Sequence, residues 1–247
     1  MDELSRLKEL ADRSYNTGQF TFTDFLGMAD LSMFYKNEKD FIFAHPTAFG
    51  GCEQAERKII RFGDPDELGY SVDFPISALC IQPLSKKFSD DLNHRDFLGA
   101  LMNLGIKREL LGDIFVKENE ALLFCKVSIA DFISENLTRV KHTSVKVVQA
   151  QDTDAITAPK KEEKVIQVAS GRIDAVIAKV YNLSRQDAIA LFPAGLVYLN
   201  GMECTENAKA LKAGDVIAVR GRGKFEYDRE SGLSKKGKLN CVVLIYK

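Results

Sequence analysis

Residues 151–164, QDTDAITAPKKEEK, hold one large apolar side chain, Ile156, and no helical or strand-period pattern. Such a stretch cannot be threaded through a core, so it reads as a linker with separate folded bodies on either side. The charge changes sign across it. Residues 165–247 carry 13 Lys+Arg against 8 Asp+Glu, a net +5, whereas residues 1–164 carry 21 against 27, a net −6. The basic back half points to a polyanionic partner.

The 247 residues have room for one large domain or two to three small ones, and 45% hydrophobic with 28% charged residues is the composition of a soluble globular protein. The N-terminus, with Asp2, Glu3, Arg6 and Lys8, lacks the apolar core of a secretory signal, and no run is long enough for a membrane span, so a cytoplasmic location is expected. Cys52, Cys80, Cys125, Cys204 and Cys241 never form C-x-x-C, and His45, His94 and His142 stand apart. Neither set predicts a disulfide framework, a metal site or a cofactor.

The pattern predicts an α+β fold. In residues 1–74, apolar spacing predicts helices over 2–15 and 23–35, the second started by Thr23 and Asp24, and strands over 40–44 and 57–62. Residues 75–150 read as strand (76–82), helix (94–104), two strands around a turn at 118–120, helix (129–137) and strand (144–149). That β-α-β-β-α-β order is the one of ferredoxin-like and RNA-recognition-motif domains. The third strand has a single aromatic, Phe124, so base stacking on this sheet is not expected. The domain is expected to be a scaffold or protein-contact surface, with direct RNA contact through the loop cations Lys86, Lys87, Lys107 and Arg108 as the alternative.

Residues 165–247 open with an amphipathic helix over 170–182, capped by Ser170, with Arg172, Asp174 and Lys179 on its polar face. A second helix, 185–192, starts at Ser184 with Asp187 in capping-box position, which exposes Arg185 and Gln186 in its first turn as a phosphate seat. Asp174 is expected to orient Arg172 or to stabilise a helix start rather than touch RNA, since a carboxylate repels phosphate. Leu196–Leu199 runs as a strand into Asn200-Gly201, the pair suited to a type I′ hairpin turn. A further strand, 215–219, empties into the basic loop Arg220-Gly-Arg222-Gly-Lys224, and a hairpin follows with Lys235, Lys236 and Lys238 at its tip.

The string G-R-I-D-x(9)-L-S-R-x-x-A-x(7)-G-x-V-x-x-N-G, continued by L-K-A-G-D-V-I-A-V, resembles the S4 RNA-binding module, an αL fold. The resemblance implies RNA contacts at Arg172, Ser184, Arg185, Gln186 and Asn200, with Lys179, Arg220, Arg222 and Lys224 as additions. The whole chain, with His45-Pro46, A-E-R-K-I-I-R-F at 55–62 and L-G-D-I at 111–114, is similar to the YlmH family of bacterial S4-domain proteins. The resemblance implies an RNA-binding factor on large ribosomal subunits obstructed by peptidyl-tRNA, in ribosome-associated quality control, with an association with cell division; a monomer is expected.

S4 modules also accompany enzymes. A pseudouridine synthase needs an R-L-D-type motif outside the module, but the R-I-D here is Arg172–Asp174 within it. The H-I-G-H and K-M-S-K-S signatures of tyrosyl-tRNA synthetases are missing, as are a methyltransferase Gly-rich loop and a Walker sequence. A non-enzymatic RNA-binding protein is therefore expected. An RNA-modifying enzyme with an unrecognised site and a division-related scaffold are the alternatives.

Overall fold

A computed structural model of the chain describes every residue except 1, 86, 88, 151, 152, 154–156, 158–160, 235, 236 and 247. Lys86, Lys235 and Lys236 thus lie outside the described residues. The chain divides into two compact units, Met1–Ala158 and Pro159–Lys247.

The first unit begins with helix α1, Glu3–Thr17, capped by Asp2, whose carboxylate accepts from Ser5 N at 2.7 Å. Helix α2 is Met28–Lys36, starting at Gly27 rather than Thr23. The start signal was misread because Thr23 and Asp24 serve tertiary contacts. Thr23 Oγ1 accepts from Ile60 N at 2.9 Å, and Asp24 binds Arg6 at 2.6 Å and Lys126 at 2.8 Å. The strand expected over 40–44 is instead two 3₁₀ turns, Glu38–Asp40 and Ile42–Ala44. Phe41 and Ala44 are buried while Ile42 and Phe43 face out, a spacing of three, which is helical and not the alternation of a strand. Short strands β1 (Thr21–Phe22), β2 (Thr47–Phe49) and β3 (Ile59–Phe62) form a sheet in the order β1-β3-β2.

The β-α-β-β-α-β order predicted for the following residues is present as β4 (Ile76–Pro83), helix α4 (His94–Asn103), β5 (Leu111–Lys117), β6 (Glu120–Lys126), helix α5 (Val127–Asn136) and β8 (Thr143–Gln149). A two-residue strand β7 (Arg139–Val140) precedes β8, and a short helix α3 (Pro65–Leu68) lies upstream of β4. The antiparallel sheet order is β5-β6-β4-β8-β7, so the first and third major strands are central, as in a split βαβ sandwich. Alternation along the strands divides the side chains between two faces. Leu79, Ile81, Leu123 and Cys125 meet Phe97, Leu101 and Ile133 of the helices on one. Leu122 and Phe124 meet Phe25 and Ile59 of the N-terminal segment on the other.

That second face, which an RNA-recognition motif leaves open for stacking bases, is therefore covered at its centre by the chain's own N-terminal segment. Arg57 fastens the cover: its Nε donates to Leu111 O at 2.9 Å and its Nη2 to Phe25 O at 2.7 Å, while Asp113 accepts from Glu56 N at 2.6 Å and Arg57 N at 3.0 Å. Burial lowers the Arg57 guanidinium and raises the Asp113 carboxyl from their ordinary values. Arg108, expected as a loop cation for RNA, is drawn into this seam, donating to Leu111 O at 2.7 Å and Gly112 O at 3.0 Å. Burial, followed by the like charge of Arg57, pushes it down to about 10.

The second unit has one six-stranded antiparallel sheet among its described residues, ordered β11-β10-β12-β13-β14-β9. The strands are β9 (Lys161–Val168), β10 (Val197–Leu199), β11 (Met202–Glu203), β12 (Asp215–Val219), β13 (Gly223–Leu233) and β14 (Leu239–Tyr246). Residues 161–164, read as linker, are therefore strand, pairing with Val243–Tyr246. The charges that made them look like linker fit an edge strand with one solvated face. Helices α6 (Ile173–Val180) and α7 (Arg185–Ala190) pack on the face that carries Ile217, Phe225, Tyr227 and Val243.

Gly51 tests how tightly the cover fits. Its φ is +100°, and a Cβ there would overlap the Phe124 ring. Gly51→Ala is expected to destabilise the protein by about 1–3 kcal/mol through overpacking, with added backbone strain. Gly99→Ala, in open space on α4, should be neutral or stabilising by up to about 1 kcal/mol. Urea unfolding of both variants checks the contrast.

Candidate nucleic-acid interface

Helix α6 spans eight residues, not about twelve, and its N-cap is Arg172; Ser170 makes no cap. The first-turn N–H groups are met from elsewhere: Ile173 N donates to Lys209 O at 2.9 Å and Asp174 N to Asn207 O at 3.3 Å. The helix was expected to show a polar face. Instead seven of its residues are buried, Asp174 among them, and only Lys179 is exposed.

Asp174 is the residue on which the surface is built. Its side chain has 0% exposure and takes two arginine forks. Arg172 approaches with Nε at 3.2 Å and Nη2 at 2.9 Å, and Arg185, from the first turn of α7, with Nε at 3.2 Å and Nη2 at 3.1 and 3.0 Å. The outward sides of the guanidiniums keep 40% and 46% side-chain exposure. One negative charge inside thus holds two positive charges at the surface, leaving a net +1 with both planes fixed. Bidentate, pre-oriented arginine is the form of positive charge best matched to phosphate oxygens. Sequence reasoning joined Asp174 to Arg172; that Arg185, eleven residues away, shares it required the αα turn at Leu183 and Ser184.

The remaining predicted residues separate into groups. Ser184 Oγ donates to Asp187 Oδ2 at 2.7 Å and accepts from Asp187 N at 3.1 Å, so the hydroxyl is committed to capping α7. Gln186 is exposed next to Arg185. Asn200 and Gly201 have positive φ, 52° and 80°, as a type I′ turn requires. The Asn200 amide donates to Asp215 Oδ1 at 2.9 Å and accepts from Val216 N at 2.8 Å, which ties this exposed residue to the hairpin.

Arg220 and Arg222 are exposed in the tight turn between β12 and β13 rather than in an open loop. A Cβ on the adjacent Gly223 would lie 3.9 Å from the Tyr181 hydroxyl, which puts the turn beside the C-terminal end of α6 and about 12 Å of helix from Arg172. Lys224 departs furthest from expectation. Strand alternation puts it on the sheet face opposite Phe225 and the helices, where its ammonium sits 4.7 Å from the Tyr246 ring centre. Lys164, which sequence reasoning assigned to a linker, donates to Val180 O at 3.2 Å and closes the C-terminal end of α6.

Residues 70–154 match the family model described as "Putative RNA-binding domain in YlmH". The chain is 34% identical over 194 residues to "Ribosome-associated protein quality control protein P2" of Bacillus subtilis (strain 168), covering 76% of this chain and 73% of that protein. The chain belongs to the YlmH family. A solved structure titled "Cell division protein ylmH from Streptococcus pneumoniae" shares the fold of this YlmH-family chain, with a TM-score of 0.50 and 22% identity, over 62% of this chain and 92% of that one.

The family model assigns its RNA-binding description to the central segment, whereas the composition and the arginine pair draw attention to the C-terminal unit. The matched segment carries 10 Lys+Arg against 12 Asp+Glu, a net −2, and the sheet face that would stack bases is covered at its centre. Among the described residues no group of His, Cys, Asp and Glu is arranged to hold a metal ion, and no helix is long and apolar enough to cross a membrane.

The Arg172–Asp174–Arg185 unit makes a stability prediction. Arg172→Ala or Arg185→Ala alone leaves one fork on Asp174 and should cost about 1–2 kcal/mol. The double substitution leaves a buried carboxylate unpaired and should cost at least about 4 kcal/mol, more than the sum of the singles. Additive losses in urea unfolding would show that the two forks do not share the burden of that charge.

Proposed function

We propose that this protein is a non-enzymatic RNA-binding factor that acts in the cytoplasm on large ribosomal subunits obstructed by peptidyl-tRNA, within ribosome-associated quality control. Its S4-type module, residues 165–247, grips structured ribosomal or transfer RNA. Arg172 and Arg185 form the phosphate-binding centre, and Lys179, Gln186, Arg220 and Arg222 are flanking contacts.

The observation that carries this reading is the fully buried Asp174 holding two half-exposed guanidiniums. A buried carboxylate is a costly way to fasten surface arginines if they serve only solubility, and it suits a ligand that must meet both forks at once. The net +5 of residues 165–247 and the name of the Bacillus subtilis relative support the same reading.

The test is binding of the full chain to purified large ribosomal subunits and to protein-free large-subunit RNA over a range of salt. Arg185→Gln keeps a hydrogen-bonding side chain beside Asp174, whereas a Glu there would set a second carboxylate against it. Loss of one charge-assisted contact, about 1.5–3 kcal/mol, weakens binding by roughly 10- to 150-fold and lowers the log–log salt slope by about 0.7–0.9. Undiminished affinity of Arg185→Gln for both targets, with the fold intact, would exclude this pair as the RNA grip.

A further inference from the structure

The helical side of the central domain carries a groove of about 550 Å³ that the proposed function does not use. It runs along α4 from Arg95 and Asp96 to Asn103 and Leu104, and is closed on its other side by the end of α5 and the β7–β8 turn, with Arg139 and Lys141. Its charged lining is three cations against one carboxylate. That carboxylate, Asp96, is already engaged, accepting from Asn93 N at 2.9 Å in the α4 capping box and pairing with Lys141 at 2.8 Å. Arg95 and Arg139 are both exposed, and among the described residues neither guanidinium has a hydrogen-bond or carboxylate partner. In a segment whose net charge is −2, this is a local reversal of sign.

We infer that this groove is a second RNA-binding surface, one that holds the phosphate backbone through Arg95 and Arg139, with Lys141 at its edge. The inference rests on the reading of the protein as an RNA-binding factor and answers a question that reading leaves open. Residues 70–154 match a family model described as RNA-binding, yet the centre of the sheet face that such a fold normally offers to bases, Leu122 and Phe124, is packed under Phe25 and Ile59. On the opposite, helical side, the groove is where guanidiniums without partners collect. Phosphate recognition suits it better than base recognition, because none of its lining residues is aromatic. The ten-residue α4 provides about 15 Å of wall, against one charge per roughly 3.4 Å along a nucleic-acid strand, so several phosphates fit. The contact is expected to be independent of sequence and to add to the grip of residues 165–247.

The experiment compares the full-length wild type with Arg95→Ala/Arg139→Ala and with Arg185→Gln, using protein-free large-subunit RNA and intact large subunits as probes at several salt concentrations. Both arginines are exposed and lack partners, so Arg95→Ala/Arg139→Ala should melt with the wild type. It should bind protein-free RNA at least tenfold more weakly, with the log–log salt slope smaller by about 1.4–1.8, the equivalent of two phosphate contacts. The groove is overturned as an RNA surface if affinity and slope stay at wild-type values while Arg185→Gln loses binding, an outcome that leaves the proposed function standing. It is equally overturned if the double variant loses affinity for intact subunits but not for protein-free RNA, since the groove then meets a ribosomal protein. A wild-type chain that binds neither probe would overturn the proposed function itself, and the groove with it.

Discussion

Arg57 holds the first unit together by an unusual division of labour. A half-buried guanidinium donates to the main-chain carbonyls of Phe25, Leu111 and Arg108, at 2.7, 2.9 and 3.3 Å, while the main-chain N–H groups of Arg57 and Glu56 are taken by half-buried Asp113. Carbonyls are neutral acceptors, so burial pushes both arginines below their ordinary values, Arg57 in spite of the nearby carboxylates of Asp113, Asp30 and Glu109, and Arg108 with the like charge of Arg57 added. The consequence reaches the whole unit, because the segments pinned here place Phe25 and Ile59 on Leu122 and Phe124. A second polar tie, Asp24 between Arg6 and Lys126, joins α1 to the end of β6. Burial opposes ionisation of Asp24, but the hydrogen bonds from Lys126 and Arg6 outweigh it and hold the carboxyl below its usual range.

The second unit uses the inverse arrangement. There one buried carboxylate, Asp174, organises two arginines that keep solvent on one side. The two designs use the same chemistry with opposite results: Arg57 and Arg108 are turned inward to satisfy carbonyls and become structural, whereas Arg172 and Arg185 are turned outward with their geometry fixed. Counting cations does not distinguish these outcomes. Local acceptors decide, since an arginine that finds carbonyls in a seam is lost to the surface, and one that finds a single carboxylate beneath it is displayed.

Phosphate-directed binding draws on charge that is presented, not on net charge. Residues 1–164 total −6 and nevertheless contain the Arg95–Arg139 groove, while Lys224, in the basic half, is turned to the Tyr246 side of its sheet. Proposed RNA contacts in both units accordingly rest on side chains whose neighbours leave them uncompensated.

Local signals in the sequence were enough for the β-α-β-β-α-β order, the Asn200-Gly201 turn, the Ser184 cap and the membership of the family. Each depends on spacing within a few residues, and the structure has the corresponding elements: β4 to β8, φ of 52° and 80° at the turn, and the Ser184–Asp187 pair. The errors fell where a polar residue had two possible partners. Thr23 and Asp24 look like a helix start but bind Ile60, Arg6 and Lys126, and Arg108 looks like a loop cation but fills the seam. The side-chain hydrogen bonds of Asp24 span 18 and 102 positions, and the seam that takes in Arg108 is closed by Arg57 from 51 positions away; such pairings leave no periodic trace, so only the tertiary structure decides them. The same reason hid the sharing of Asp174 by Arg172 and Arg185, and packing of α4 against the end of α5 likewise brings Arg95 and Arg139 to one groove without a trace in the sequence. Short-range spacing determines which elements form, and long-range packing determines which charges those elements turn outward.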